Sequence, residues 1–417
     1  MMNTHYLIVG ASHAALAALH AIRLVDGERD VTMVCRADTL PVSPTVLPYI
    51  VSGRSDPARV YLKDEAYFRS QRVNFLRGRA VTQLDTANNL AELDDGEAIA
   101  YRKLLVASGA KPALPAIEGL TEVEFHVLRT LDDALALRTA LPHAKHAVVL
   151  GAGLIGMHAA ENLVKAKANV TIIEREPQVM PGYFDAQAAG LIESAFAAAG
   201  VDVRTGQCVM RAIATGDGCA LTFEDDSSLS CDLLLVGTGV VPVTDFLRGS
   251  PVALDRGVLV DDAMRTNVPN IWAAGDVAQA RGFYGEGKVL NGILPDAVDQ
   301  GKIAGMAMAE DAALKVYAGA VPLNSYAFFG NQALSVGANA SGDGYEVVTR
   351  IEPEQRRYLK IVLREDRLAG IFSINVAFDA GIMWELILRR VDLAPIKQRF
   401  LDDPRAAARV LMSRSWR

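Results

Sequence analysis

The chain of 417 residues has only four cysteines, Cys35, Cys208, Cys219 and Cys231, with no CxxC or Cys/His cluster among them. That spacing excludes a disulfide-stapled module and offers no ligand set for zinc or an iron–sulfur centre. No metal is expected, and reduced thiols in a cytoplasmic protein fit best. Aromatics are scarce at 6%, and positive charge is not in excess, the formal net charge being −7. Such a surface gives a polyanion no general footprint, so nucleic acid is not an expected partner. Long apolar runs are missing too. The uncharged stretch 147–160 holds three glycines, and it falls short of the roughly 18–20 residues that span a bilayer, so no membrane association is expected. Residues 1–22 carry no Asp, Glu, Lys or Arg, yet no Lys or Arg precedes their apolar part, which argues against a secretory signal.

What remains is a globular composition, 51% apolar and 22% charged, long enough for two to three domains. The opening HYLIVGASHAALAALHAIR reads as a buried strand over 6–9, a glycine turn and an Ala/Leu-rich helix, with a second strand over 31–35. From His146 the same grammar returns: a strand AVVLGAG, a helix LIGMHAAENLVKAKA and a strand NVTIIE. Two βαβ units imply two nucleotide sites. Between them lie the Pro-rich LPVSPTVLPY, a helix near 63–71 and YRKLLVASGAKPALP. The last hundred residues alternate polar and apolar positions as antiparallel strands do, then end in an amphipathic helical tail.

The stronger chemical signal is Gly151-Ala152-Gly153-Leu154-Ile155-Gly156, a complete GxGxxG between strand and helix. Gly151 permits the tight turn, Gly153 lets backbone approach a pyrophosphate, and Gly156 lets helix pack on strand. The helix N-terminus, which begins at Leu154 and Ile155, favours the phosphates. Glu174 ends the next strand, where a carboxylate accepts from ribose hydroxyls and repels a 2′-phosphate, so NAD is expected over NADP. Arg175 beside it weakens that preference. Gly239, in the turn after DLLLV, is assigned to the same NAD site.

The first turn is degenerate. Gly10 is kept, but Ser12 and Ala15 replace the second and third glycines, and Cys35-Arg36-Ala37 stands where an acidic residue is usual. Ser12, His13 and Ala14 still offer backbone N–H groups, and Arg36 is placed to stack on adenine or reach a phosphate.

With TNVPNIWAAGDVA and YRKLLVASGAKP added, the sequence resembles the pyridine nucleotide–disulfide oxidoreductases, two-dinucleotide-binding-domain flavoproteins, over about residues 5–310. The resemblance implies an α/β fold of two Rossmann-like domains, with the NAD domain inserted in the FAD domain, plus a C-terminal α+β domain. The corresponding boundaries are 1–112 and 242–316 for FAD, 113–241 for NAD and 317–417 for the C-terminal domain. It also implies FAD and NAD as cofactors. Gly275 and Asp276 become FAD contacts on the ribityl side, and Ser108-Gly109 becomes the turn beside the FAD. ILPDAVDQGKIAG becomes the helix whose N-terminus, with Pro295, Ala297 and Val298, faces the flavin. At the level of residues alone, Asp276 as a helix N-cap and Gln300 as a surface residue stay open.

Departures from the family shape the expected chemistry. Residues 40–53 contain no cysteine, so disulfide, CoA-disulfide and thiol-dependent peroxide reduction are disfavoured and no catalytic side chain is named. Pro44 replaces the usual Arg, Tyr49 falls near the usual Lys, and His158 stands for an acidic residue. Tyr49 is taken as a ring beside flavin or nicotinamide, with a core aromatic as the alternative. His158 is read as a helix residue near the cofactor rather than a proton donor.

The C-terminal stretch resembles that of ferredoxin, rubredoxin and nitrite reductase flavoproteins. Its basic tail looks closest to flavin subunits of larger redox complexes, such as those of phenylglyoxylate dehydrogenase or tungsten aldehyde oxidoreductase. The expectation is an FAD-dependent NAD(H) oxidoreductase that exchanges electrons with an iron–sulfur protein or subunit, within a hetero-oligomer. Arg356, Arg357, Arg389 and Arg390 are its candidate docking charges, with a solvated helical face as the bland alternative. Trp384 and Trp416 are either interface anchors or core residues. A stand-alone NADH oxidase or diaphorase, and a flavin-binding structural or signalling protein, remain as alternatives.

Overall fold

The computed structural model describes residues 1–285 and 287–415, so Trp416 lies outside the described residues. By its contacts the chain divides into two units. The first comprises Met1–Val46, Asp56–Lys111 and Val240–Ala320. The second comprises Leu47–Ser55, Pro112–Gly239 and the chain from Val321 onward.

The first unit is built on a twisted sheet in which Val73–Arg77, Val31–Cys35, Met2–Val9, Ala98–Val106 and Ile271–Ala273 run parallel. Leu90–Leu93 and Val81–Asp85 extend it antiparallel. A near-continuous apolar run fits a strand covered on both faces, and Tyr6, Leu7 and Ile8 are fully buried. Register pairs Val9 with both Val34 and Val106, and Val106 with Ala273. The strands therefore end level, and Gly10, Cys35, Ala107 and Ala274 all emerge at one carboxyl edge, where open α/β sheets bind ligands.

Helix His13–Val25 crosses this sheet and packs along helix Leu294–Met308. Their close approach depends on small residues. A Cβ at Gly301 would lie 2.2 Å from Ala14 O, and one at Gly305 2.4 Å from Ala18 O.

The second unit repeats the plan with a four-stranded parallel sheet, Asp202–Thr205, Asn169–Glu174, His146–Leu150 and Leu233–Val236. Helix Leu154–Lys165 follows its central strand and ends short of the expected 168, because Lys167 takes a left-handed φ of 69°. An antiparallel sheet of Val209–Thr215, Gly218–Phe223 and Ser228–Cys231 shares its core. The final stretch forms five antiparallel strands, in the order Leu323–Phe328, Asn331–Gly337, Arg367–Ile374, Arg357–Arg364, Glu346–Glu352. Helix Ala380–Leu388 packs on two of them. Trp384 is half-buried there, its indole N–H donating to Val321 O at 3.1 Å.

Candidate functional site

In the first unit the chain leaves strand Met2–Val9 through Gly10, whose φ of 120° is open to glycine and whose Cβ would sit 2.0 Å from Ala107 O. Ser12 is the N-cap of helix His13–Val25, but its side chain makes no capping bond, so the first-turn N–H groups of His13 and Ala14 lack that acceptor. The His13 ring bonds Ser43 Oγ at 2.8 Å, and Ser43 bonds Thr45 Oγ1 at 2.8 Å. Pro44, between them, opens a short 3-10 turn. Burial lowers the His13 pKa, the Asp276 charge opposing it.

Ser108 donates to Val243 O at 2.8 Å, and Gly109, at φ 69°, turns the chain there. Gly275 takes φ 82°, and a Cβ on it would lie 3.0 Å from that of Ala14 and 3.9 Å from that of Ala297. Asp276 follows, half-buried, in the turn between Ile271–Ala273 and Ala278–Arg281, so it caps no helix. Gly292 passes it so closely that a Cβ would be 3.5 Å from Asp276 Oδ1.

The first turn of helix Leu294–Met308 holds Pro295, Ala297 and the exposed Val298. The Ala297 N–H is committed to Ile293 O at 3.1 Å, so the unshared donors of this end belong to the residues before it. The structure thus brings Gly10, Ser12, His13, Ala14, Gly275, Asp276 and the 291–298 segment together. Arg36 is exposed at the end of the neighbouring strand, near Asp245, whose carboxyl is held low chiefly by Lys111.

The second unit carries the complete motif. Gly151 takes φ 98°, and a Cβ there would meet Gly237 O at 2.6 Å. One at Gly156 would meet Gly151 O at 1.9 Å. Gly153 differs: it is the helix N-cap, and a Cβ on it meets nothing within 4 Å. Leu154 and Ile155 begin the helix, half-buried.

Glu174 is buried, and both its oxygens already accept backbone bonds, Oε2 from Ala152 N at 2.7 Å and Oε1 from Glu176 N at 2.8 Å. Arg175 is exposed and paired with Glu176 at 3.2 Å. Gly239, at φ 103°, is exposed, and its carbonyl accepts from Ala113 N at 2.9 Å. His158 lies edge-on to Tyr326, ring centroids 4.7 Å apart, and burial lowers its pKa. Tyr49 belongs to this second unit, whereas the other residues assigned to the flavin belong to the first. It is 37% exposed, too open for a core aromatic, with the Arg54 guanidinium 4.7 Å from its ring centroid.

Sequence reasoning missed a buried polar network in the first unit. Gln300 is 2% exposed rather than a surface residue; its Oε1 accepts from Gly275 N at 2.9 Å, and its Nε2 reaches Tyr317 OH at 3.4 Å. Tyr317 and Asn291 both bond Asp296, itself 2% exposed. The signal in the sequence was an aspartate just after a helix-opening proline, followed by a glutamine one turn on. The docking arginines prove partly neutralised: Arg357 pairs with Glu352 at 3.6 Å and Arg389 with Glu385 at 2.7 Å.

Both turns fit a dinucleotide. Each pairs a left-handed glycine whose Cβ position is filled by backbone with an uncapped helix N-terminus, and Gly153 leaves open the space a pyrophosphate needs. Among the described residues no group of His, Cys, Asp or Glu is arranged to hold a metal ion.

A family model described as pyridine nucleotide-disulphide oxidoreductase matches residues 4–312. The chain is 53% identical over 416 residues to the epsilon subunit of NADH-dependent phenylglyoxylate dehydrogenase from Aromatoleum evansii, covering 100% of this chain and 99% of the relative. It is 26% identical to putidaredoxin reductase from Pseudomonas putida over 94% of each chain. A ferredoxin reductase from Rhodopseudomonas palustris superposes with a TM-score of 0.81 at 26% identity, covering 89% of this chain and 91% of that one. The reductase of a covalent putidaredoxin reductase–putidaredoxin complex shares the fold, with a TM-score of 0.85 at 24% identity over 95% of each chain.

Proposed function

We propose that this chain, which belongs to the pyridine nucleotide-disulphide oxidoreductase family, passes electrons between NAD(H) and an iron–sulfur protein or partner subunit by way of FAD. The observation that carries this reading is the pair of glycine cradles, one in each unit, with no cysteine in the segment 40–53. The relatives' names support it, since one is a subunit of an NADH-dependent dehydrogenase and others are ferredoxin-type reductases.

FAD, when bound, accepts a hydride equivalent from a nicotinamide and releases electrons singly. The protein's part is placement and electrostatics. Gly10, Ser12, His13, Ala14, Ser108, Gly109, Gly275 and Asp276 would hold FAD, with Arg36 on its adenine side and Pro44, Pro295, Ala297 and Val298 at its ring end. Gly151, Gly153, Leu154, Ile155, Gly156, Glu174 and Gly239 would hold NAD(H). Glu174 has its backbone bonds in place, and each oxygen keeps a lone pair for a ribose hydroxyl. Tyr49, ring partly open and stacked by Arg54, is the aromatic offered to a cofactor ring. His13 and His158, both pushed towards the neutral form by burial, bring no positive charge of their own at neutral pH.

Residues 1–112 with 242–316 would form the FAD portion, 113–241 the NAD portion and 317–417 the partner-facing portion of a cytoplasmic hetero-oligomer. No helix among the described residues is long and apolar enough to cross a membrane.

The test is an anaerobic titration of the purified chain with NADH, then NADPH, followed by a ferredoxin-type acceptor in a stopped-flow instrument. Rapid bleaching of a flavin band by NADH, fast reoxidation by the acceptor and slow reoxidation by air are expected. A band that NADH cannot bleach would sink the reading. Fast reoxidation by air alone would make the chain a stand-alone oxidase.

A further inference from the structure

Asp296 is the third residue of helix Leu294–Met308, and 2% of its surface is exposed. A carboxyl so placed sits in the positive end of the helix, which favours its charged form, yet has lost the water that would solvate that charge. Its partners form a directed chain. The Gly275 N–H donates to Gln300 Oε1, Gln300 Nε2 donates to Tyr317 OH, and Tyr317 is left to donate its proton to Asp296. Asn291 Nδ2 donates to the same carboxylate from the loop before the helix.

One end of this relay is therefore the backbone of Gly275, beside Asp276. The other is a buried acid in the first turn of the helix assigned to the flavin ring. Structural burial alone would be served by Asn at this position, which needs no charge. A carboxyl adds a site that can hold or give up one proton.

We propose that Asp296 is a proton store for the flavin end of this unit, taking up one proton from solvent when negative charge accumulates beyond the helix end and releasing it when that charge leaves. This rests on the reading of FAD given above. The reaction is carboxylate plus proton to carboxylic acid, with no change of electron count in the protein.

Burial raises the Asp296 pKa most, the Asn291 and Tyr317 donors oppose it, and the charge of Asp299, one turn along, adds to it, bringing the group to about 7. Asp299 is in turn moderated by Lys302. Tyr317 has its own pKa raised, first by burial and then by Asp296, and stays a neutral donor. Below about 7 Asp296 already holds its proton; above it, the site is ionised and ready to take one up. The charge accumulating nearby then acts on a group poised at neutrality.

The deciding experiment measures the midpoint potential of the bound flavin, and the protons taken up on its reduction, across the neutral pH range for wild type, Asp296→Asn and Tyr317→Phe. Wild type is expected to take up as much as one proton more than Asp296→Asn above neutrality, with a bend in its pH profile that the variant lacks. Tyr317→Phe, which removes a donor to the ionised form, should move the bend to higher pH. An infrared carboxylic-acid band at neutral pH, present in the cofactor-free wild type and absent from Asp296→Asn, provides a second readout. The same pH profile and proton uptake in Asp296→Asn as in wild type would overturn the proposal. If Asp296→Asn does not fold, an unmoved bend in Tyr317→Phe overturns it instead. A chain that binds no flavin would overturn the functional reading itself, and this inference with it.

Discussion

At the scale of single residues, the glycines of the second turn separate fold from function. A Cβ at Gly156 would overlap Gly151 O at 1.9 Å, so Gly156→Ala must shift the helix off its strand. Gly153→Ala meets nothing within 4 Å, at an ordinary φ of −79°, so its added methyl enters only open space, the space proposed above for the pyrophosphate of NAD(H). The expected outcome is an unchanged midpoint of thermal unfolding for Gly153→Ala with NADH binding weakened at least about tenfold, a loss of roughly 1.4 kcal/mol. Gly156→Ala should lose both stability and binding. Equal stability loss in the two variants, read by calorimetry, would contradict this division.

Glu174 joins the two roles. Glu174→Ala leaves the Ala152 and Glu176 N–H groups without their acceptor, so it should destabilise the second unit by about 1–3 kcal/mol while raising the relative affinity for NADPH. Denaturant melts and paired NADH and NADPH titrations read the two effects. The place of Glu174 at a strand end, on which its assignment to the nucleotide rests, was legible in the sequence. Its backbone bonds were not, because they depend on how the Ala152 turn folds back on it.

At the scale of elements, helix Ala186–Ala198 shows why long-range polar contacts escape a sequence reading. Its N-cap Asp185 accepts from Ala188 N, as an aspartate before an alanine-rich helix should. The same carboxylate also accepts from Tyr358 OH and Lys360 Nζ, some 170 residues on, in a strand of the final sheet. No local pattern announces that pairing. Alternation pointed to strands in this stretch, yet Arg357–Arg364 is buried at every position between its two end arginines, and Lys360 within it is 6% exposed.

Burial would raise the Asp185 pKa, but the bonds from Tyr358, Ala188 and Lys360 outweigh it and hold the carboxyl below its ordinary 3.8. A group depressed in the folded state stabilises above its unfolded pKa, and loses that contribution as pH falls through the folded value. Asp185→Asn should therefore be less stable than wild type at neutral pH, with the gap closing below about pH 4. A gap that persists undiminished at acid pH would show that the charge is not the cause.

At the scale of the whole molecule, the parallel sheets and the two glycine turns were readable because they follow from local runs and short spacings. Alternation in the last hundred residues pointed to antiparallel strands, and the final sheet is antiparallel throughout. What composition could not give is which surface charges are free to act on a partner. Residues 350–417 carry 14 Lys and Arg against 9 Asp and Glu, a balance of +5, which leaves −12 for the first 349 residues.

An acidic iron–sulfur protein is attracted by the net positive charge of residues 350–417 and repelled by the net negative charge of the rest, which steers encounter without adding much affinity. The pairs Arg357–Glu352, Arg389–Glu385 and Arg350–Asp402 reduce each local field but leave the net sign unchanged. Reversing Arg389 and Arg390 together to Glu would change the balance of this end from +5 to about +1, since each reversal removes two units of charge. Second-order reduction of a ferredoxin-type acceptor should then fall several-fold at low salt. The variant and wild type should converge as salt shortens the screening length below roughly 8 Å. Ferricyanide, a small acceptor that needs no docked protein, serves as the reference rate. A ferredoxin rate that ignores salt in wild type, or a variant whose deficit persists at high salt, would move the docking surface away from these charges.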